Sequence, residues 1–386
     1  MSNLRIGIIG IGNMGSKHAQ RFVKGMVQGA ELKAVCDSNP ERLKWAKTTI
    51  GDKVQVFENS EAFYAANTVD AVIIATPHYD HPPLAIKAFE RGLHVLSEKP
   101  AGVYTKQVLE MNEAASKSGK VFGLMLNQRT NPLYQKLRDL VKSGELGEIK
   151  RSVWIITNWY RPQSYYNSGG WRATWAGEGG GVLINQDPHQ LDLWQWICGM
   201  PVRVRAFCEF GKYHNIEVED DVTAYVQYEN GATGVFITST ADAPGTNRFE
   251  LSGDRGKVVV EDGKITFWRL RESERKFNLE FQGGMGQPEC WKCEVPVKGE
   301  YTEHLGIINN WVSAILKGTP LLAPGSEGIH SLRLSNAMYL STWIENWVNL
   351  PFDDNQFYEM LKQRIDNSNF SKESNESRVI DIDGTY

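Results

Sequence analysis

The feature that most constrains the fold is an apolar run at the start of the chain, followed by regularly spaced glycines. Residues 4–9 read Leu-Arg-Ile-Gly-Ile-Ile, which predicts a strand buried on both faces. Gly10, Gly12 and Gly15 follow with the spacing G-x-G-x-x-G, and residues 16–24 are compatible with a helix. This order fits a turn whose backbone approaches a phosphate at a helix N-terminus.

A carboxylate after the next predicted strand indicates that the phosphate belongs to a dinucleotide. Residues 31–36 predict this strand, and Asp37 follows it about 20 residues after the last glycine, where such units bind ribose hydroxyls. Asp37 therefore predicts NAD as the cofactor, with NADP less favoured, although Ser38 and Arg42 lie close enough to weaken the preference. A glycine-rich turn without a ligand is the alternative. The predicted contacts here are Gly10, Gly12, Asn13, Met14, Gly15, Asp37 and Ser38.

Composition excludes several classes of function. The formal net charge of −4, without a basic block, argues against nucleic acid as a partner. No apolar run reaches about 18 residues, so we expect no membrane span. The first strand begins at once, without a signal peptide, and the five scattered cysteines indicate reduced thiols, so we expect a cytoplasmic protein. Cys290 and Cys293 have C-x-x-C spacing but no second pair, and we predict no metal site.

The order of elements predicts an α/β protein with two domains and a tail. Strands alternate with helices to residue 126, which predicts an N-terminal Rossmann domain with a doubly wound parallel sheet. The later strands are short and separated by turns, which predicts a C-terminal α+β domain with a largely antiparallel sheet. We predict a dinucleotide-binding domain at 1–128, a substrate-binding and oligomerisation domain at 129–350, and a C-terminal helix and polar tail at 351–386.

Two polar clusters are candidates for chemistry. Glu98 and Lys99 follow a predicted strand of the parallel sheet, where ligands bind, although a solvated ion pair fits the residues as well. The second cluster follows three glycines at 179–181, on a helix predicted from about 188 to 197. There His189 and Asp192 are three residues apart, so the carboxylate can set the imidazole tautomer. On the residues alone, a packing role for this histidine is the commoner case.

Taken together, these motifs resemble the glucose–fructose oxidoreductase / inositol dehydrogenase / rhizopine-catabolism (Gfo/Idh/MocA) family of NAD(P)-dependent oxidoreductases, over roughly residues 3–345. The resemblance rests on the glycine motif, Ala75-Thr76-Pro77 with His81, Glu98-Lys99-Pro100, Asn127-Gln128-Arg129 with Pro132, Gly144-Glu145-Leu146-Gly147, and the glycine triplet through His189 to Asp192. It implies that Lys99 and His189 flank the reacting carbon and that Glu98 contacts the nicotinamide-side ribose.

The resemblance also implies roles for residues that have no clear signal of their own. Further cofactor contacts are implied for Thr76, Pro77, His81 and Gln128, and a substrate contact for Arg129. Asn185 stands where many members have Asp, which leaves a hydrogen-bonding role but weakens one in acid–base chemistry. Asp187 stands where the family often has a small residue, so we expect a substrate contact peculiar to this chain.

Aromatic and arginine side chains between residues 159 and 175 are typical of a sugar site. Aromatic rings cover the C–H faces of sugars, and guanidinium groups bind hydroxyls or carboxylates. We expect about half of them to line the substrate cleft and the others to lie in the core or at an interface. They are Trp159, Tyr160, Arg161, Tyr165, Trp171, Arg172 and Trp175.

The predicted function is hydride transfer between a secondary alcohol of a sugar, sugar derivative or polyol and NAD(P). His189 is the predicted base, with an acidic limb of activity near or above pH 6.5. Lys99 stabilises charge on oxygen, and Asn185 or Asp192 orients the imidazole. The alternatives are a redox-neutral glycosidase or epimerase that retains NAD, and a non-catalytic dinucleotide sensor. We also expect a homo-oligomer, dimer or tetramer, formed through the C-terminal sheet.

Overall fold

The computed structural model describes residues 3–368 and contains two sheets. The first sheet has six parallel strands in the order β3-β2-β1-β4-β5-β6, which confirms the predicted doubly wound sheet. Its strands are β1 (Leu4–Ile9), β2 (Ala30–Cys36), β3 (Gln55–Phe57), β4 (Ala71–Ile74), β5 (His94–Ser97) and β6 (Phe122–Leu124). Its helices are α1 (Asn13–Val23), α2 (Pro40–Thr49), α3 (Ser60–Ala65), α4 (His81–Glu90) and α5 (Thr105–Ser118).

The strand order of this sheet reverses between β1 and β4, and a crevice opens beyond their carboxyl ends. All four residues of β4 and five of the six in β1 are buried, as expected for strands covered by helices on both faces. Gly10, Asp37 and Glu98 directly follow β1, β2 and β5, and Thr76 follows β4 after one residue. The topology therefore gathers these four residues at one edge of the sheet.

The second sheet has nine strands in the order β14-β13-β12-β11-β7-β10-β9-β8-β15. Neighbouring strands are antiparallel except β7 and β10, which pair in parallel. The largely antiparallel sheet expected from the sequence is thus confirmed. Its strands are β7 (Ile149–Ile156), β8 (Arg203–Phe210), β9 (Glu219–Gln227), β10 (Thr233–Ser239), β11 (Asn247–Gly253), β12 (Gly256–Glu261), β13 (Lys264–Leu270), β14 (Cys290–Val295) and β15 (Val348–Asn349).

One face of this sheet is covered by helices. Trp194 of α9 stacks on Phe236 of β10, with ring centroids 5.3 Å apart, and donates a hydrogen bond to Ser152 of β7. The opposite face exposes large apolar side chains, including Phe207 and Tyr225. The helices of this half are α6 (Pro132–Lys142), α7 (Gln163–Tyr166), α8 (Val182–Asn185), α9 (Pro188–Cys198), α10 (Glu274–Glu280), α11 (Glu303–Lys317), α12 (Gly328–Trp343) and α13 (Asp354–Asp366).

The C-terminal helices contact both halves of the structure. Helix α12 packs against β8 and also against α5, and Gly123 of β6 pairs with Pro324 just before α12. The division into 1–128, 129–350 and 351–386 stays a prediction. Of the C-terminal helix and polar tail predicted at 351–386, residues 369–386 lie outside the described residues. Within 3–368, no helix is both long and apolar enough to span a membrane.

Helix α10 and the edge strand β14 were not predicted from the sequence. Helix α10 has no buried residue, so it lacks the apolar periodicity on which sequence assignment depends. Cys290 and Cys293 lie on β14, at positions that point to opposite faces of a strand, and both are free thiols. Among residues 3–368, no cluster of three or more metal-ligating side chains could hold a metal ion.

Candidate active site

A cavity of about 1440 Å³ lies between the carboxyl edge of the first sheet and the segments that precede α9. Of the predicted cofactor contacts, its lining contains Gly10, Gly12, Asn13, Met14, Asp37, Ser38, Thr76, Pro77, Glu98 and Lys99. Of the predicted substrate and catalytic residues, it contains Lys99, Trp159, Tyr160, Arg161, Tyr165, Trp171, Arg172, Asn185 and His189. Residues from both domains therefore share one cavity, whose two parts correspond to the predicted cofactor and substrate sites.

The glycines of the first turn leave room for a ligand at only one position. A Cβ atom at Gly10 would lie 2.6 Å from the carbonyl oxygen of Ala75, and one at Gly15 would lie 1.8 Å from that of Gly10. At Gly12 a Cβ atom would meet nothing within 4 Å. This residue lines the cavity and directly precedes α1, so the open space there belongs to the cavity. Helix α1 has no side-chain cap and no acidic residue in its first turn. The turn therefore fits a pyrophosphate against its backbone and the positive helix end.

Asp37 is fixed at the end of β2 by backbone hydrogen bonds. Its Oδ2 accepts from the N–H of Ile11 at 2.8 Å, and its Oδ1 accepts from that of Asn39 at 2.9 Å. Each carboxylate oxygen has a further lone pair for a ribose hydroxyl. Arg42 lies on the same side, where its Nε donates to the carbonyl oxygen of Ile11 at 2.7 Å. Burial lowers the pKa of Arg42, and the charge of Asp37 opposes this decrease.

Glu98 is held by a buried histidine behind the cavity. His18 Nε2 lies 2.7 Å from Glu98 Oε1, and His18 Nδ1 lies 3.0 Å from Arg21 Nη1. Because a guanidinium can only donate, Nδ1 accepts and Nε2 carries the proton donated to Glu98. Burial raises the pKa of Glu98, but the hydrogen bond from His18 and the electrostatic effect of the groups around the carboxylate, Lys99 among them, together lower it to about 2. Glu98 is therefore a carboxylate beside the predicted cofactor site.

Lys99 connects the two domains. Its Nζ donates a hydrogen bond to the backbone carbonyl oxygen of Asn185 at 2.7 Å. Burial lowers the pKa of Lys99, and the negative charges of Glu98 and Glu178 counteract part of this decrease. The amine thus lies in the cavity, close to the start of the helix that carries His189.

His189 lines the cavity, and its imidazole makes no hydrogen bond to the described residues. Its side chain is 3% exposed, and neither ring nitrogen has a hydrogen-bond partner among the described residues. Burial and the charge of Lys99 hold the pKa of His189 well below the ordinary value of 6.5. The ring is therefore neutral at neutral pH, with one nitrogen available to accept a proton. The acidic limb of activity is therefore expected at a lower pH than the value near or above 6.5 predicted from the sequence.

Glu178 and Glu219 are two buried carboxylates for which the sequence predicted no role. Glu178 accepts from the side-chain amide of Asn185 at 2.5 Å and from the backbone N–H of Ala173 at 2.6 Å. Glu219 accepts from the backbone N–H groups of Gly181 and Leu183 at 2.9 Å each, and from the hydroxyl of Tyr339. Glu178 joins the two ends of the segment 178–185 through its contact with Asn185, and Glu219 fixes the middle of the segment, so together they place Asn185 at the cavity. Glu178 is a lone carboxylate among glycines, and Glu219 is one of several neighbouring acidic residues, so neither has a local pattern that would identify it.

Arg129 and Asp192 form a buried ion pair away from the cavity, and not the contacts that were predicted for them. Two hydrogen bonds of 2.7 Å join the guanidinium of Arg129 to both carboxylate oxygens of Asp192, and Glu327 also contacts Arg129. Both side chains of the pair are 1% exposed and lie outside the cavity lining. The predicted substrate contact of Arg129 and the predicted orientation of His189 by Asp192 are therefore wrong, because the two residues saturate each other.

Other predicted site residues lie behind the lining, where they hold the structure. Each ring nitrogen of His81 lies 2.8 Å from a backbone carbonyl oxygen, that of Pro100 or Thr76. Trp175 packs on Tyr339 and Trp343, and Gln128 is buried beside Tyr301. Gly15 serves the close packing of α1 on β1. The direct contacts predicted for His81, Gln128, Trp175 and Gly15 are not found in the lining.

Asp187 is buried beneath the cavity and not exposed to it. Neither carboxyl oxygen has a hydrogen-bond partner of good geometry among the described residues, although Thr238 and Trp159 are polar neighbours. Burial raises the pKa of Asp187 well above its ordinary value of 3.8. The substrate contact predicted for Asp187 is therefore not found. The residue lies behind Trp159, which does line the cavity.

Comparison with known proteins agrees with this geometry. Residues 4–126 match the family model described as "Oxidoreductase family, NAD-binding Rossmann fold", and residues 134–259 match "GFO/IDH/MocA C-terminal domain". The chain belongs to the Gfo/Idh/MocA family. It is accordingly an NAD-binding oxidoreductase, as the resemblance implied, and the residues lining the first half of the cavity fit this cofactor.

Relatives of this Gfo/Idh/MocA protein include several named dehydrogenases. Myo-inositol 2-dehydrogenase of Thermotoga maritima is 24% identical over 345 residues, which cover 86% of this chain and 95% of that protein. D-glucoside 3-dehydrogenase of Escherichia coli is 31% identical over 62% of this chain and 71% of its own length. The WlbA dehydrogenase of Chromobacterium violaceum, solved with NADH and UDP-GlcNAcA, has a TM-score of 0.78 at 29% identity and covers 92% of this chain and 97% of that chain.

Proposed function

We propose that the protein oxidises a secondary alcohol of a sugar, sugar derivative or polyol and transfers the hydride to NAD, reversibly. The observation that carries this proposal is the pairing of a neutral, unpartnered His189 with the amine of Lys99 in the cavity that holds the dinucleotide-binding turn. A general base must have a nitrogen free to accept a proton, and an alkoxide needs a nearby positive charge.

The chemical roles follow from this arrangement. His189 accepts the proton of the substrate hydroxyl, and Lys99 stabilises the negative charge that develops on the oxygen. Gly12 and Asp37 would hold the dinucleotide, which when bound would supply the hydride acceptor. Asn185 positions the amine of Lys99 through its backbone carbonyl oxygen, so its own side-chain amide is not required for proton transfer. In the reverse direction, the imidazolium of His189 returns the proton to the product carbonyl oxygen.

Sugars and polyols are the proposed substrate class for two reasons. The relatives named above act, by their names, on inositol and on D-glucosides, and one solved relative binds a nucleotide sugar acid. In this chain, Trp159, Tyr160 and Trp171 line the substrate side of the cavity. Their ring faces suit the C–H faces of a carbohydrate, whereas Arg161 and Arg172 supply donors for its hydroxyl groups.

A spectrophotometric screen tests the proposal. Purified protein with NAD is offered myo-inositol, methyl β-D-glucopyranoside, levoglucosan and related sugars, and NADH absorbance is followed. We expect steady NADH formation with at least one compound, and product ketone in equal amount. Turnover of a sugar without net NADH would favour a redox-neutral glycosidase or epimerase, and NADH binding without any turnover would favour a dinucleotide sensor.

We also propose a homo-oligomer, a dimer or tetramer, located in the cytoplasm. The uncovered face of the second sheet exposes Phe207 and Tyr225, at 54% and 37%, and a second copy of this face would bury them. All five cysteines are free thiols, which favours a reducing compartment. Light scattering on the purified protein tests the assembly, and Phe207→Glu should shift it towards monomer.

A further inference from the structure

The hydroxyl group of Tyr165 is surrounded by hydrogen-bond donors. Its oxygen lies 2.9 Å from Arg172 Nη1 and 3.0 Å from Asn185 Nδ2, with Gln186 Nε2 further away at 3.4 Å. The orientation of the Asn185 amide follows from Glu178, because the amide atom that also contacts this carboxylate has to be the NH₂ group. Both close neighbours of the Tyr165 oxygen are thus donors, and they occupy its acceptor capacity.

The proton of this hydroxyl has no acceptor among the described residues. A guanidinium has no lone pair to offer, and the Asn185 amide already presents its NH₂ group. Tyr165 also lines the cavity, on the side of Trp171 and Asn185. The Gln186 amide also presents its NH₂ group to this oxygen, so the O–H bond is left to an acceptor inside the cavity. A donor hydrogen bond from a cation further polarises the hydroxyl and strengthens it as a donor.

We propose that Tyr165 is a specificity residue that donates its hydroxyl proton to a hydroxyl oxygen of the substrate next to the reacting carbon. This inference rests on the proposed function. Tyr165 lies close to the catalytic amine, because Asn185 contacts Tyr165 through its side chain and Lys99 through its backbone. This supports a contact with the substrate next to the reacting carbon. A contact to an oxygen that does not react contributes equally to substrate and transition state, so it lowers KM without changing kcat.

Tyr165→Phe tests this contact because it removes only the hydroxyl. With the panel compound that wild type oxidises best, we expect KM to rise and kcat/KM to fall about 10-fold, the effect of one lost hydrogen bond, with kcat unchanged. Tyr166→Phe is the matched control, because the hydroxyl of Tyr166 donates to Thr240 outside the cavity lining. A kcat/KM within twofold of wild type, or a loss confined to kcat, would overturn the inference.

Monodeoxy analogues of the same compound identify the contact. For the analogue that lacks the contacted oxygen, wild type and Tyr165→Phe should have equal kcat/KM, whereas the difference persists for the other analogues. A difference of the same size for every analogue would mean that Tyr165 acts only on the shape of the site, and the inference would be wrong. NADH affinity, measured by fluorescence, reports folding of the variant. If wild type forms no NADH with any panel compound, the proposed function itself fails.

Discussion

Lys99 and Asn185 join the two domains through one hydrogen bond, from the side-chain amine of Lys99 to the backbone carbonyl oxygen of Asn185 at 2.7 Å. Lys99 follows β5 of the first sheet, whereas Asn185 ends α8, which is anchored by the buried Glu219. His189 lies four residues further, at the start of α9. The bond therefore places a positive charge close to a neutral imidazole, in the crevice where a dinucleotide-binding sheet receives its ligand.

Asp37 is expected to select NAD over NADP. Asp37→Ala removes the carboxylate that we propose binds ribose hydroxyls and repels a 2′-phosphate, while Arg42 remains. The ratio of kcat/KM for NAD to that for NADP should fall about 10-fold or more, since a charge repulsion of about 1.4 kcal/mol or more is lost. Glu41→Ala, which removes an exposed carboxylate outside the lining, is the control. Equal efficiencies of the two cofactors with wild type would contradict a role for Asp37 in selection.

Asp192 is expected to contribute to stability and not to chemistry. Asp192→Asn leaves the guanidinium of Arg129 buried without its main partner, so the free energy of unfolding should fall by about 3–5 kcal/mol. Urea denaturation measures this change, and kcat of the folded variant should remain close to wild type. Glu327→Gln should cost less, because Glu327 is 38% exposed. Unchanged stability with a 100-fold lower kcat would instead support the orienting role first predicted for Asp192.

Glu219 is expected to make stability depend on pH. Burial raises its pKa to about 7, against the hydrogen bonds from Tyr339, Leu183 and Gly181. Because the pKa of the folded state exceeds the ordinary value of 4.5, the protonated form is favoured in the folded protein. This contribution to stability is complete below pH 4.5 and is lost as the pH rises through about 7.

Glu219→Gln, which imitates the protonated form, measures this contribution. The difference in unfolding free energy, variant minus wild type, should increase by on the order of 3 kcal/mol from pH 5 to pH 8. Denaturation curves of both proteins at the two pH values give the comparison. An equal difference between variant and wild type at pH 5 and pH 8 would show that Glu219 does not titrate in this range.

The acidic limb of activity is expected below pH 6.5. The pKa of His189 is lowered by burial and by Lys99, so its neutral form persists to lower pH than that of free histidine. The value of kcat/KM, measured with saturating NAD, should therefore stay constant from pH 8 down to about 6.5 and decrease only below it. A decrease that begins above pH 6.5 would mean that another group limits the reaction.

Local patterns identified residues that the structure brings to one part of the cavity, whereas pairings between distant residues were missed. The strand at 4–9, the glycine turn and Asp37 follow one another in sequence, so periodicity and spacing identify them. The Arg129–Asp192 pair joins residues 63 apart in sequence, so spacing does not reveal it. Helical spacing instead suggested a contact between Asp192 and His189. The role of Glu219 becomes visible only in its contact with the glycine triplet. This contact forms only when β9 packs against α8.

The central claim is that His189 is the base, and His189→Ala tests it most directly. With the substrate that wild type oxidises, kcat should decrease about 10²–10⁴-fold while NAD affinity changes little. Lys99→Ala should have a similar effect, and the double variant should lose less than the product of the two. His330→Ala, which removes a half-buried imidazole outside the cavity lining, is the control. Near wild-type kcat in His189→Ala would contradict the assignment.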